Sequence, residues 1–264
     1  MSSLNWRGEL NKYLASAYKN WIISKRNVFT LFEIFFWPMI SLLSIGLLTR
    51  FLSVSPEMVS FLLVGAIALT ILQVSQIDVA YVLLFDMWSK SIKNTFISPI
   101  KSYHLIFGAL LFGILRGTFV FAFLALVSYY LFGFNSMQGG LLPVAIFLAG
   151  VFAVAAVIGI VVCISILIFG QKADVAAWSL SGIILLVSGI YYPVEVLPPV
   201  LQLLARAIPL TYFLEYYRSV FTHGPSNLLL GATLAVLYLI IGLLFFGMSI
   251  NRARKTGMLL KLSE

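Results

Sequence analysis

Six long apolar runs constrain the fold of this chain more than any other feature. They cover roughly residues 28–50, 58–85, 104–132, 141–169, 174–192 and 227–250. A helix of about 20 apolar residues crosses the core of a bilayer, so each run is long enough to cross once. Hydrophobic residues make up 61% of the chain and charged residues only 10%, far outside the range of soluble domains. The sequence therefore predicts an all-α integral membrane protein with six transmembrane helices.

The positive charges predict how these helices are oriented. If the six runs alternate in direction, thirteen Lys and Arg residues fall on one side and only Arg50, Arg206 and Arg218 fall on the other. The positive-inside rule then places both termini in the cytoplasm, in a multi-pass protein of the cytoplasmic (plasma) membrane. The net charge of +8 is spread along the membrane edges rather than gathered on one soluble face. We therefore expect no nucleic-acid partner.

Residues 5–25 precede the first run and have the pattern of an amphipathic helix. Leu10, Tyr13, Leu14 and Trp21 recur at helical spacing, and most polar residues lie elsewhere around the helix. Such a helix lies in the inner membrane interface and is in contact with lipid.

The predicted cytoplasmic segment 86–101 has a second amphipathic pattern. We expect a helix of about three turns, opened by Asp86 and closed ahead of Pro99. Because this helix is too short to stand alone, either the groove of a soluble partner or the lipid headgroups must cover it. The residues predicted to make the contact are Asp86, Trp88, Lys90, Ile92, Lys93, Phe96 and Pro99.

Residues 188–221 are too polar and too rich in proline to cross a bilayer, yet too apolar for an ordinary loop. Their prolines divide the segment into pieces of about ten residues, each able to form a short helix that begins at or just after a proline. We predict an extracytoplasmic re-entrant helical pair over residues 193–222. Glu215 and Arg218 are three residues apart and can pair along the second helix. The defining residues are Pro193, Glu195, Pro198, Pro209, Glu215 and Arg218.

This segment resembles the C-terminal signature of permease subunits of type-2 ATP-binding-cassette exporters. The shared features are a small-residue turn, an aromatic-Pro-acid-x-Leu-Pro segment, then Pro-Leu-Thr and an acid-x-x-Arg helix. Residues 95–100, TFISPI, are similar to the Thr/Ser-Pro ending of the coupling helix in that family. The resemblance implies one permease domain over residues 1–264, a second copy of this chain, and two copies of an ATPase subunit that contact residues 86–101.

The resemblance also implies where ATP binds. No Gly-x4-Gly-Lys-Ser/Thr string occurs in the sequence. We therefore expect no cofactor on this chain, with ATP and Mg bound to the partner ATPase. Residues 179–182 approach the Gly-x-Ser-Gly string of rhomboid proteases but lack its first glycine, and both histidines lie at the edges of runs. With no paired metal-ligand spacing either, we predict no catalytic residue and no metal site.

Two ionisable residues lie within apolar runs. Asp78 is predicted to lie about 10 Å, and Arg116 about 18 Å, from the inner ends of their spans. Unpaired charges at such depths cost a few kcal/mol or more, so we hypothesise that they pair. Such a pair either fixes helix packing or lines a wet path for substrate or protons. Glu33, near the start of the first run, either reaches the interface or faces cations of the preceding helix.

The fifth run is rich in small residues. Small side chains permit close approach of helices, and they also suit a span that lines a path between two copies. Tyr191 and Tyr192 lie at its outer end, where they either contact substrate or act as interfacial belt residues. The predicted pore or substrate-path residues are Ser181, Ser188, Tyr191 and Tyr192.

The resemblance implies ATP-driven export, and the compact outer loops favour an amphipathic small molecule or a lipid-like substrate. ATP-driven export of a polysaccharide or a lipid-linked glycan is an alternative. An ion- or proton-coupled secondary transporter that uses Asp78 and Arg116 is an alternative of another class.

Overall fold

Helices make up almost all of the described chain. A computed structural model describes residues 6–26, 28–98, 100–222 and 226–255, and no strand occurs among them. In chain order the helices are α1 (Trp6–Arg26), α2 (Val28–Phe51), α3 (Pro56–Trp88), α4 (Ile92–Ile97), α5 (Ser102–Phe132), α6 (Leu141–Phe169), α7 (Val175–Val187), α8 (Pro199–Ala207), α9 (Pro209–Thr222) and α10 (Leu228–Lys255). Two 3-10 turns, Gly170–Asp174 and Val194–Val196, precede α7 and α8.

Five of the described helices, α2, α3, α5, α6 and α10, are long and apolar enough to cross a membrane. Helices α3 and α6 are mostly buried and form the centre of the bundle, whereas α10 is mostly exposed. The two central helices approach closely at Gly159, where an added Cβ would lie 2.6 Å from the Cβ of Val79. The thiol of Cys163 on α6 is buried at the same contact, with Sγ 3.3 Å from the Val79 carbonyl oxygen of α3.

The fifth apolar run forms a shorter helix than predicted. Helix α7 has 13 residues, so it is about 20 Å long, which is less than the roughly 30 Å of a hydrocarbon core. Its end is set by Ser188 and by Gly189, whose φ of 72° is accessible to glycine without a steric penalty. By length alone, the described chain therefore has five candidate spans rather than six.

Helix α1 lies along the start of α5, as its direct contacts show. The Ser16 hydroxyl donates to the Leu105 carbonyl oxygen at 3.3 Å. The polar residues on this side of the helix, Ser16, Asn20 and Ser24, are buried. The apolar residues Leu10, Leu14 and Trp21 are instead about half exposed. The helix therefore presents its polar face to the bundle and its apolar face outward, as a helix in a membrane interface would.

The two ends of the bundle differ in charge and structure. We call the end that carries α1, α4 and the C-terminal turn of α10 the basic end, and the end that carries α8 and α9 the opposite end. Helix α8 begins at Pro199 and α9 begins at Pro209, as the proline pattern predicts. With 9 and 14 residues, both helices are too short to cross a bilayer.

Candidate functional site

Asp86 joins three helices at the basic end. Its Oδ1 accepts hydrogen bonds from the Lys19 ammonium and, at 3.1 Å, from the Ser91 hydroxyl, while its Oδ2 accepts from the Thr95 hydroxyl at 2.8 Å. The Asp86 side chain is only 1% exposed. Because Lys19 belongs to α1 and Thr95 to α4, one buried carboxylate at the end of α3 holds both of these helices.

The position of Asp86 corrects the expected start of the cytoplasmic helix. Asp86 does not open a helix over residues 86–101, because α3 continues to Trp88. Apolar residues next to Asp86 keep that turn buried, and the break comes at Lys90, where φ is 54°. Helix α4 then covers only Ile92–Ile97, with Ile92 fully buried and Trp88 about half exposed. The side chains of Lys93 and Phe96, and the whole of Pro99, lie outside the described residues.

A second charged contact fixes α1 to the start of α5. Glu9 Oε2 lies 2.7 Å from Nε2 of the buried His104, and Glu9 Oε1 lies 2.5 Å from the Lys12 ammonium nitrogen. His104 Nδ1 accepts the backbone N–H of Lys101 at 3.0 Å, so Nε2 is the nitrogen that donates to Glu9. The hydrogen bonds from Lys12 and then from His104 lower the pKa of the Glu9 carboxyl.

The two ionisable residues within apolar runs meet in a single chain. Arg116 Nη1 of α5 donates to Asp78 Oδ1 of α3 at 2.7 Å. The Arg116 and Asp78 side chains are 12% and 6% exposed. Within the described part of the chain, the other carboxylate oxygen of Asp78 and Nε of Arg116 have no hydrogen-bond partner. Buried polar groups in proteins are usually hydrogen-bonded, and the ion pair satisfies one oxygen of Asp78 and one nitrogen of Arg116.

Close packing of α3 and α5 sets the geometry of this pair. The Ser75 hydroxyl donates to the Gly113 carbonyl oxygen at 3.2 Å, and an added Cβ on Gly117 would lie 2.6 Å from the Ser75 oxygen. The two glycines, four residues apart, therefore allow the helix backbones to approach. Arg116 lies between them in the sequence, and its side chain reaches Asp78 on the facing helix.

A cavity of about 590 Å³ opens between α2, α3 and α7, next to this pair. Trp37 of α2, Tyr81 of α3 and Trp178 of α7 contribute three aromatic rings to its wall. Glu33 and Arg116 contribute the charged groups. Among the described residues Glu33 forms no ion pair, so of its two predicted alternatives the contact with cations of α1 is not made. Pockets of this size and composition bind drug-sized ligands.

The residues predicted to line a pore or substrate path lie outside this cavity. Ser181 and Ser188 are buried, and their hydroxyls donate to carbonyl oxygens of their own helix turn. The Tyr192 hydroxyl donates to the Leu186 carbonyl oxygen, and Tyr191 packs against the core. None of these four side chains lines the cavity between α2, α3 and α7. Ser188 instead borders a cavity at the opposite end.

Arg218 fastens α9 to the rest of the opposite end. Its guanidinium donates to the carbonyl oxygens of Gly189 at 2.7 Å, Ile190 at 2.5 Å and Phe61 at 3.0 Å. The guanidinium carbon also lies 3.5 Å from the centre of the Phe61 ring. These bonds replace the predicted ion pair with Glu215, which is not formed between the two residues. Arg218 therefore ties α9 to the start of α3 and to the turn after α7.

The cavity at the opposite end, about 660 Å³ in volume, has charged residues in its wall. Its wall includes Glu195, Arg206, Glu215 and Arg218. Burial, and then the neighbouring charge of Glu195, raise the pKa of the Glu215 carboxyl. The signature prolines Pro193, Pro198 and Pro209 precede the turn Val194–Val196, precede α8 and begin α9, respectively. Pro193 also borders this cavity.

The fold and these sites define a multi-pass membrane protein of the permease class. Residues 11–222, from α1 to the end of α9, match the ABC-2 type transporter family, and the chain belongs to that family. The chain is also similar to a protein of Archaeoglobus fulgidus that is described as uncharacterized. The two are 43% identical over 60 residues, which cover 23% of this chain and 91% of that protein.

Two functional features went unnoticed in the sequence. The aromatic cavity needs α7 to pack beside α2 and α3, which lie much earlier in the chain, but Pro38 inside an apolar run marks one of its walls. The anchoring of α1 by Asp86 depends on a contact 67 residues away in sequence. The pair of glycines, Gly113 and Gly117, was a visible signal for the close approach of α5 to another helix.

Proposed function

We propose that this chain is the membrane-spanning subunit of an ATP-driven exporter that moves an amphipathic small molecule or a lipid-like substrate, powered by a separate ATPase subunit. The observation that carries the proposal is the position of α4. Ile97 at its end is 83% exposed, while Asp86 holds the same helix to the central helix α3. A short helix with an exposed apolar residue and a rigid link to the core is suited to transmit a push from a soluble partner.

The proposed assembly has two copies of this chain and two copies of the ATPase, which bind ATP and Mg. The protein lies in the cytoplasmic membrane, with its basic end facing the cytoplasm, since thirteen of the seventeen Lys and Arg residues are predicted on that side. Helix α7 and the preceding 3-10 turn together reach at most about 30 Å, enough for a sixth crossing. Helices α8 and α9 form the extracytoplasmic re-entrant pair, and α1 lies in the lipid interface.

A test of this function is ATPase binding and stimulation. The chain is co-expressed with an ATP-binding-cassette ATPase encoded beside its gene, purified by its own tag, and reconstituted in nanodiscs. We expect the ATPase to co-purify and its hydrolysis to depend on the chain. Ile97→Ala is expected to weaken both, while Leu52→Ala, an exposed apolar residue at the opposite end, leaves them unchanged. Transport by the purified chain without nucleotide would refute the proposal.

An ion- or proton-coupled secondary transporter is the second candidate. The buried carboxyl of Asp78 inside an apolar helix favours it, because proton relays in membrane proteins use such carboxyls. The two candidates differ in their energy source. The test is transport in liposomes driven by a pH gradient without ATP. If such transport occurs, and if it is lost in an Asp78→Asn variant that still folds and assembles normally, the carrier is supported and the exporter is contradicted.

A further inference from the structure

We propose that the cavity between α2, α3 and α7 binds an amphiphilic organic cation. This inference rests on the proposed function, because it names the class of substrate that the exporter would take. It depends on three properties of the cavity wall: its net charge, its aromatic rings and its opening.

The charged groups give the cavity a net negative charge. Arg116 is the one cation in the described wall, and its charge is balanced by Asp78 at 2.7 Å. Glu33 remains as a carboxylate without an ion pair among the described residues. In surroundings of low dielectric, this excess of negative charge selects a cation over an anion.

The aromatic rings supply the rest of the recognition. Trp37, Tyr81 and Trp178 come from three different helices and face one space. The faces of aromatic rings attract cations, and several rings around one space form the kind of cage that binds quaternary ammonium groups. Tyr81 in turn contacts Phe85 and Trp88, with ring centres 5.7 and 5.5 Å away, so its own position is fixed.

The opening of the cavity explains why the ligand would be amphiphilic. Trp37 and Trp178 are 60% and 55% exposed, so the cavity opens sideways between α2 and α7. In the proposed assembly these helices cross the bilayer, so a ligand dissolved in the lipid can enter there. The volume of about 590 Å³ accommodates a drug-sized cation but not a whole polymer.

Binding of tetraphenylphosphonium tests the inference directly. The chain is placed in nanodiscs without ATPase or nucleotide, and binding of the radiolabelled cation is measured by equilibrium dialysis, with empty nanodiscs subtracted. Tetraphenylborate, an anion of almost the same size and shape, is the matched ligand. We expect saturable binding of the cation, and binding of the anion at least about tenfold weaker.

Matched variants locate the site. Glu33→Gln is expected to weaken cation binding about tenfold, and Trp178→Ala to weaken it several-fold. Glu33→Asp keeps the charge and retains binding, and Glu57→Gln and Trp21→Ala, which change the same residue types outside the cavity, have no effect. Equal binding of both ions, or unchanged binding in Glu33→Gln, overturns the inference. The binding assay contains no ATPase, so the two proposals can fail separately. If the chain stimulates an ATPase but binds no cation, this inference alone is refuted. If the chain binds the cation but stimulates no ATPase, the exporter alone is refuted.

Discussion

Replacing Asp86 with Asn tests whether one carboxylate holds α4 against the end of α3. The amide keeps one oxygen that can accept a hydrogen bond, but it loses the charge and the second acceptor. Lys19, Ser91 and Thr95 then compete for one neutral oxygen. We expect α4 to detach more often from the bundle while the spans remain folded.

The magnitude follows from the bonds that are lost. A hydrogen bond to a charged group contributes about 1.5–3 kcal/mol. Lys19 is 31% exposed and regains water when the carboxylate is removed, which reduces its share. We therefore expect local opening of α4 to become easier by about 2 kcal/mol in Asp86→Asn. This value corresponds to hydrogen exchange that is about thirtyfold faster.

Hydrogen–deuterium exchange of residues 89–98 in nanodiscs measures this opening. Asp174→Asn, the same substitution in another connection at the basic end, is the matched control and should leave exchange over residues 89–98 unchanged. Lys19→Met should accelerate exchange by less than Asp86→Asn, since it removes one donor of three. Exchange within about twofold of the parent chain in Asp86→Asn would mean that other contacts hold α4, and the reasoning from the buried carboxylate would be wrong.

Three further predictions follow from other contacts. Gly65→Ala places a Cβ 2.0 Å from a carbonyl oxygen of the turn after α7, so we expect a destabilisation of about 1–3 kcal/mol in thermal unfolding, while Gly247→Ala, with nothing within 4 Å, should not destabilise. Arg116→Gln should cost about 3–5 kcal/mol because it strands a buried carboxylate, and adding Asp78→Asn should restore part of the loss; additive effects would contradict the pairing. The pKa of Glu9 is lowered, so its contribution is present above the ordinary pKa of 4.5 and is lost as the pH falls through the lower folded value. We therefore expect α1 to be released from the bundle at acid pH in the parent chain, and Glu9→Gln should abolish this dependence on pH. The release is measured by the fluorescence of a single tryptophan kept on that helix.

Local patterns in the sequence predicted the helices well. The third and fourth apolar runs form α5 and α6 within two residues of their predicted bounds, and the prolines mark the starts of α8 and α9. The sequence is informative there because a long apolar run and the missing proline N–H are properties of the local sequence. The fifth run was predicted too long, because apolar residues continue past Val187 while the backbone turns at Gly189.

Contacts between distant helices explain what the sequence did not predict. Asp86 was expected to cap a new helix, since an acidic residue before a polar stretch is a common start signal. The structure instead buries it beneath α1 and α4, a position that depends on Lys19 from the first helix. The cavity at Trp37 and Trp178 is likewise defined by how α2 and α7 face each other, which no local period encodes.

Helix α3 contacts both ends of the bundle and the cavity between them, and this gives the proposed exporter a physical route for transmitting a push. Its last turn carries Asp86, which holds α4, and about one turn earlier Tyr81 lines the cavity. Asp78 binds Arg116 on the next turn, and near the start of the helix the Phe61 carbonyl accepts from Arg218. The 33 residues of α3 form one continuous helix that packs against α6. A push on α4 that displaces α3 therefore acts both on the cavity and on the hydrogen bond between Arg218 and Phe61. In the proposed exporter, opening toward the opposite end and release from the cavity are then one motion.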